Sequence, residues 1–162
     1  MMNFRVANIT DARAVMEIYN EHISAGNSTM DQQPKSLMEI EAWFKGFLER
    51  ELIVLFEDAD YVLGWGIIKR YSDREGYAKA CETAIYLRVT ETRNGYGTLI
   101  KKWIIEKCRE LGYHHLVAKI FSSNIASIEY NKKLGYELVG TQKEIGYANG
   151  QWQNVTIMQL II

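Results

Sequence analysis

Val89-Thr90-Glu91-Thr92-Arg93-Asn94-Gly95-Tyr96-Gly97-Thr98 joins a strand end, a glycine-bearing turn and a helix start in ten residues. Helix N-termini leave donor N–H groups unpaired and carry about half a positive charge. A pyrophosphate can settle on such a turn once glycines let it approach the main chain. Arg93 adds a full charge. Gly95 and Gly97 alone are too few for a dinucleotide fingerprint, and no Gly-Lys-Ser/Thr follows to make a Walker A loop. The same residues also serve ordinary turn geometry, so the loop by itself leaves both readings open.

Outward from this turn the elements alternate. YAKACETAIYLRV (77–89) places Cys81, Thr83, Ile85, Leu87 and Val89 on one face and Glu82, Ala84, Tyr86 and Arg88 on the other, which is a strand. From Tyr96 to Leu111 the positions Leu99, Ile100, Trp103, Ile104, Cys108 and Leu111 trace a helical stripe, with Gly112 to stop it. LVAKIF (116–121) reads as a strand, 124–135 as a helix ending on Gly135, and the last segment as a hairpin turning at Asn149-Gly150.

Upstream, residues 3–7 predict a short strand, and Thr10 is expected to cap a helix carrying Val15, Ile18, Tyr19, His22 and Ile23, running to about Gly26. Ser36 and Glu39 form a capping box before the stripe Leu37, Ile40, Trp43, Phe44 and Phe47. LIVLFE (52–57) and 61–71 make a hairpin, with Gly64 and Gly66 marking a bulge or a close approach to the main chain. The order β-α-α-β-β-β-α-β-α-β-β predicts one α/β (α+β layered) domain over 1–162, a mixed sheet flanked by helices.

Composition narrows the function. The chain has 162 residues, 19 basic and 20 acidic side chains and 48% apolar residues, enough to bury a core without disulfide or metal. Residues 1–81 carry 9 basic and 13 acidic side chains, and 82–162 carry 10 and 7, a second half suited to a small anionic ligand. That charge is too dilute to grip nucleic acid, and no apolar run is long enough to span a membrane. The opening residues show no signal-peptide core, Cys81 and Cys108 make no disulfide framework, and no metal-ligand spacing occurs, so a reducing cytoplasm is expected.

Asn124 and Ser127 at the next helix start, Leu134-Gly135-Tyr136 and the closing strand pair continue the pattern. From Gly64 to Ile162 the chain resembles the GCN5-related N-acetyltransferases, whose pyrophosphate loop reads Gln/Arg-x-x-Gly-x-Gly/Ala; Thr92 stands at its first position here. Within that superfamily it resembles the phosphinothricin and methionine-sulfone acetyltransferase group. The shared motifs are Arg74-Glu75-Gly76-Tyr77, Glu82-Thr83-Ala84-Ile85-Tyr86-Leu87 and Gly150-Gln151-Trp152-Gln153-Asn154-Val155. The resemblance implies a mostly antiparallel sheet with a splayed central strand pair, acetyl-CoA as co-substrate, a small amino-acid-like amine as acceptor and a homodimer.

It also implies the site. Arg93, Asn94, Gly95, Tyr96, Gly97 and Thr98 would hold the pyrophosphate, and the main chain of Leu87 and Val89, with Asn124 and Ser127, the pantetheine arm, the Leu87 and Val89 side chains being core. Glu82 would be the general base. Tyr19, Met30, Arg74 and Tyr77 would meet the acceptor, Arg74 by a charge-assisted pair with an anionic group. Asn131 occupies the position where relatives carry a Tyr or His to protonate the thiolate. An amide can only donate a hydrogen bond there. The three histidines are read as structural or exposed, and Trp65 as core that also lines a pocket. A protein N-terminus, polyamine or aminoglycoside acceptor, and a non-catalytic acyl-CoA sensor, are the alternative readings.

Overall fold

The computed structural model describes residues 1–92 and 94–162; Arg93 lies outside the described residues. Seven strands form one sheet in the order β1-β2-β3-β4-β5-β7-β6. They are β1 (Met2–Val6), β2 (Leu52–Asp58), β3 (Tyr61–Arg70), β4 (Ala80–Leu87), β5 (His115–Phe121), β6 (Glu137–Ala148) and β7 (Gln151–Ile161). Every pairing is antiparallel except β4 with β5. Four helices cover the sheet: α1 (Ala12–Ala25), α2 (Leu37–Gly46), α3 (Tyr96–Glu110) and α4 (Ile125–Lys133).

Strand alternation sorts side chains into two cores. Ile53, Leu55 and Trp65 join Val15, Ile18 and Ile40 beneath α1 and α2. Val54, Phe56, Ile68, Cys81 and Leu116 join Ile100, Ile104 and Cys108 beneath α3. The helical stripes of α1, α2 and α3 and the alternation in β4 match these cores, except that Leu99 turns outward and is exposed.

Local chemistry explains the boundaries. Ser36 Oγ accepts from the Glu39 amide at 3.2 Å and the Glu39 carboxylate accepts from the Ser36 amide at 2.6 Å, the expected box. The expected cap at Thr10 is corrected to Asn8, because a 3₁₀ turn (Ile9–Asp11) precedes α1. Asn8 Oδ1 accepts from Thr10 N and Asp11 accepts from Asn8 N, each at 2.9 Å. Asn149 (φ 55°) and Gly150 (φ 76°) both take left-handed backbone, which a two-residue hairpin demands.

The β4–β5 pairing is brief. Ala80, Cys81 and Glu82 pair with His115, Leu116 and Val117, and then the strands part. Among the described residues Thr83 to Leu87 pair with β3 alone, and an opening is left beside them. β4 is also shorter than expected: Val89–Glu91 wind into a 3₁₀ turn as the chain leaves the sheet. Val89 is 49% exposed, which corrects the expectation of a core side chain. Among the described residues no helix is long and apolar enough to cross a membrane.

Candidate active site

The start of α3 at the opening is built differently from those of α2 and α4. Asn124 Oδ1 caps α4 by accepting from Ser127 N at 3.2 Å, and Ser36 caps α2, but α3 has no side-chain cap. Gly95 stands at its N-cap with φ 76°, a conformation that excludes most residues. The first amides of α3 are therefore free to meet an anion. Tyr96 points inward and packs edge-on to Phe56 at 5.2 Å. Gly97 lies against Tyr130, whose Cε1 would stand 3.4 Å from an added Cβ. Asn94 is exposed and Thr98 half-buried beside them.

Below this end, between the diverging strands, a small cavity is lined by Thr83, Ala84, Ala118, Asn124, Ser127 and Asn131 among others. Asn131 is 2% exposed; its Nδ2 donates to the Ser127 carbonyl at 2.8 Å, and its Oδ1 has no partner. An orphaned acceptor in a dry interior is costly, and an amide-rich arm threading the opening would satisfy it. These features fit an acyl-pantetheine thioester. The Leu87 carbonyl, expected to be free for that arm, accepts from His22 Nε2 at 2.7 Å. The Val89 amide donates to Glu21 Oε2 at 3.1 Å.

Glu82 occupies the apex of the opening, opposite Val117, on the α1–α2 face. Its Oε2 lies 3.3 Å from Lys119 Nζ on β5. It borders two grooves. One, of about 1000 Å³, is lined by Met30, Tyr77, Lys79, Lys119 and Ile145 among others. The other, of about 490 Å³, is lined by Tyr19, Asp31, Trp43, Trp65 and Tyr86. Tyr19, Trp43, Trp65 and Tyr86 pack ring to ring at 4.7–6.2 Å centroid separations. The Tyr19 hydroxyl bonds Thr29 Oγ1 at 2.7 Å and donates to Asp31. Burial, then the Tyr86 ring and Asp31, raise its proton affinity well above the phenol range.

The β6–β7 turn closes the larger groove. Asn149 Nδ2 donates to the Gly26 carbonyl at 2.9 Å, and the Met30 thioether lies where a side chain on Gly146 would stand. Tyr77 lines this groove and packs on Tyr71 at 5.3 Å. Arg74, expected beside it, is exposed and borders neither groove; it stands at the N-cap of the 3₁₀ turn (Glu75–Tyr77). The cations that do border the larger groove are Lys79 and Lys119.

Sequence reading missed two groups. His22 reaches Leu87 across 65 residues, which no spacing announces. Lys101 lies on the buried face of α3 with Ile100, Ile104 and Cys108, so the helical stripe did contain its signal.

Residues 4–157 match the family model for the acetyltransferase (GNAT) domain. The chain is 29% identical to an L-methionine sulfoximine/L-methionine sulfone acetyltransferase of Pseudomonas aeruginosa, over 98% of this chain and 93% of that one. It is 26% identical to a phosphinothricin N-acetyltransferase of Alcaligenes faecalis, over 96% and 80% of the two chains. A GNAT superfamily phosphinothricin acetyltransferase from Sinorhizobium meliloti, solved in complex with acetyl-CoA, superposes with a TM-score of 0.93 at 26% identity, over 99% of this chain and 88% of that one. The chain belongs to the GNAT acetyltransferases.

Proposed function

We propose that this acetyltransferase moves the acetyl group of acetyl-CoA to the α-amine of a small amino acid or analogue of the methionine sulfone, methionine sulfoximine or phosphinothricin type, by direct attack in a ternary complex. One observation carries this reading: the Glu82 carboxylate stands at the apex of the strand opening and borders both acceptor grooves. The amides from Asn94 to Thr98, with Arg93, hold the pyrophosphate, and Asn124, Ser127 and Asn131 border the pantetheine path.

Only a neutral amine attacks a thioester, so the acceptor ammonium must first lose a proton, and Glu82 takes it. Main-chain N–H groups of the unpaired stretch ending at Leu87 stabilise the negative charge that grows on the acetyl oxygen. Tyr19, Met30 and Tyr77 shape the acceptor side. Lys79 and Lys119 supply there the positive charge expected of Arg74, and a cationic lining favours an acceptor carboxylate over a polyamine or aminoglycoside. Thiol release on mixing with acetyl-CoA and a panel holding these analogues, a polyamine and an aminoglycoside tests the reading. Turnover confined to the cationic amines sinks the acceptor assignment, and saturable binding without turnover on any amine makes the protein a sensor.

We further propose a homodimer and a cytoplasmic location. β6 is an edge strand, and Leu138, Val139, Ile145, Tyr147 and Trp152 on the terminal hairpin are exposed. A second copy would cover this apolar surface. Sedimentation at micromolar concentration tests it, a monomer being the contrary result. Buried free Cys81 and Cys108 accord with a reducing compartment.

A further inference from the structure

Lys101 is 2% exposed on the inward face of α3. Its Nζ donates to Thr83 Oγ1 at 2.9 Å and lies 4.8 Å from the centre of the Tyr136 ring. An ammonium has three donors, and among the described residues this one has a single hydrogen bond, a ring face and no carboxylate in ion-pairing range. Among the described residues the Tyr136 hydroxyl and Asn131 Oδ1 are also buried without a hydrogen-bond partner. Burying an unpaired cation costs several kcal/mol where an apolar side chain would cost nothing. The arrangement makes sense if an anion visits it.

Its position says which anion. Thr83 is the first residue beyond the last parallel pair, Glu82 with Val117, so the ammonium stands at the apex of the strand opening. Glu82 lies on the other face of β4. Lys101 lines the cavity between the strands together with Thr83, Ala118, Ser127, Tyr130 and Asn131. We propose that Lys101 is the proton donor to the sulfur that leaves acetyl-CoA, serving where the amide of Asn131 cannot. The proposal rests on the acetyl-CoA reading above.

The protons balance. The acceptor enters as an ammonium and gives one proton to Glu82. Its nitrogen forms the C–N bond to the acetyl carbon and then gives its second proton to water, the C–S bond breaks, the electron pair goes to sulfur, and Glu82 returns its proton to solvent. Lys101 passes a proton to that sulfur, giving a thiol and a neutral amine, and is reprotonated from water. Of the two protons the nitrogen loses overall, one is matched by the thiol hydrogen and one is released to solvent.

Neighbouring groups are poorer donors. Burial raises the proton affinity of the Tyr130 and Tyr136 hydroxyls. Cys81 from β4 and Cys108 from α3 are fully buried, 3.7 Å apart, and the Cys81 thiol is raised by its contact with Cys108 and by burial. Burial lowers Lys101 to about 8, against the Cys108 and Cys81 thiols, which raise it. That lies close to the ordinary thiol value of about 8.5, the match that efficient proton transfer asks for.

The test titrates the ultraviolet absorbance of the CoA thiolate bound to the wild type and to Lys101→Met, with calorimetry to establish binding and thermal melts to establish folding. Lys101→Gln serves as the second variant should Met disturb the core. Expected are CoA affinities within about three-fold of one another, and a bound-thiol midpoint about one pH unit lower in the wild type, a ten-fold difference in acid constant. The variant kcat falls by about 10²-fold with little change in either KM, and the high-pH decline of wild-type kcat disappears. The double variant Lys101→Met/Asn131→His, which places an acid at the adjoining position, recovers part of the loss. Equal thiol midpoints together with kcat within about two-fold overturn the role of Lys101 while leaving the acetyl-CoA reading intact. Absence of any heat with CoA removes both.

Discussion

His22 Nε2 and the main-chain oxygen of Leu87 lie 2.7 Å apart, tying α1 to the end of the strand that parts from its neighbour. A carbonyl can only accept, so Nε2 carries the proton; in the neutral ring Nδ1 then accepts from the Ser28 hydroxyl at 2.7 Å. The imidazole thus links α1, the loop leading to α2 and the last residue of β4. His22→Ala leaves that carbonyl and Ser28 without a partner. A loss of about 1–2 kcal/mol in stability is expected. The KM for acetyl-CoA should rise several-fold while kcat changes less, because the strand end would be looser but the base untouched. An unaltered KM would show that this bond supports the fold alone.

The base assignment has a separate test. Glu82→Gln keeps the shape at the apex and removes the proton acceptor, along with the ion pair to Lys119 at 3.3 Å. kcat/KM should fall by between about 10²- and 10⁴-fold, with the deficit shrinking as pH rises and the acceptor amine deprotonates in solution. Lys119→Met separates the two effects, since it removes the ion pair and keeps the carboxylate. If both variants lose the same factor at every pH, the reaction needs the Glu82–Lys119 ion pair and not proton removal by Glu82.

Gly64 stands beside a bulge, and both Gly64 and Gly66 sit where another part of the chain approaches closely. The β2–β3 register shifts at Phe56/Glu57, opposite Gly64. A Cβ on Gly64 would stand 2.8 Å from the Tyr86 carbonyl oxygen and 2.7 Å from Leu87 Cδ2, and main chain cannot rotate away. Gly64→Ala should cost about 1–3 kcal/mol. For a chain of this size that is a fall of roughly 2–4 °C in Tm per kcal/mol. At Gly66 the nearest atoms belong to the side chains of Ile104 and Ile85 rather than to main chain, so Gly66→Ala should cost less. Equal melting temperatures for the two would mean that the strand shifts rather than resisting.

What the chain discloses in one dimension follows from how far apart the interacting groups lie. The Ser36–Glu39 box and the Asn149-Gly150 turn are local, and their chemistry is readable from neighbours. Alternation along 80–87 shows that β4 is a strand with Glu82 and Thr83 on opposite faces. It cannot show that the partner strand leaves after Val117, because parting depends on a strand paired from more than thirty residues away in sequence. Val89 continues the alternation yet lies on a turn, and Arg74 matches a motif yet borders neither acceptor groove. In both cases the pattern records side-chain type and the position is decided by where the chain bends.

Lys101 gives the sharpest test of the interior, through stability rather than turnover. Burial lowers its folded-state value from 10.5 to about 8. Between those pH values the unfolded chain binds the proton and the folded one does not, so this group's contribution to stability rises with pH across that window. Below pH 8 the folded protein carries the whole cost of a buried, carboxylate-free cation. Lys101→Met should therefore be the more stable protein at pH 7, by a few kcal/mol. The advantage should shrink steadily from about pH 8 towards pH 10. The thiol of Cys81, raised by Cys108 and by burial, makes both proteins lose stability as pH climbs, and that shared loss drops out of the difference. Denaturant unfolding of the two proteins at intervals from pH 6 to 10 measures the gap. A gap that is flat with pH would mean that the ammonium is solvated in the native state, and its cost at the apex of the strand opening would have to be withdrawn.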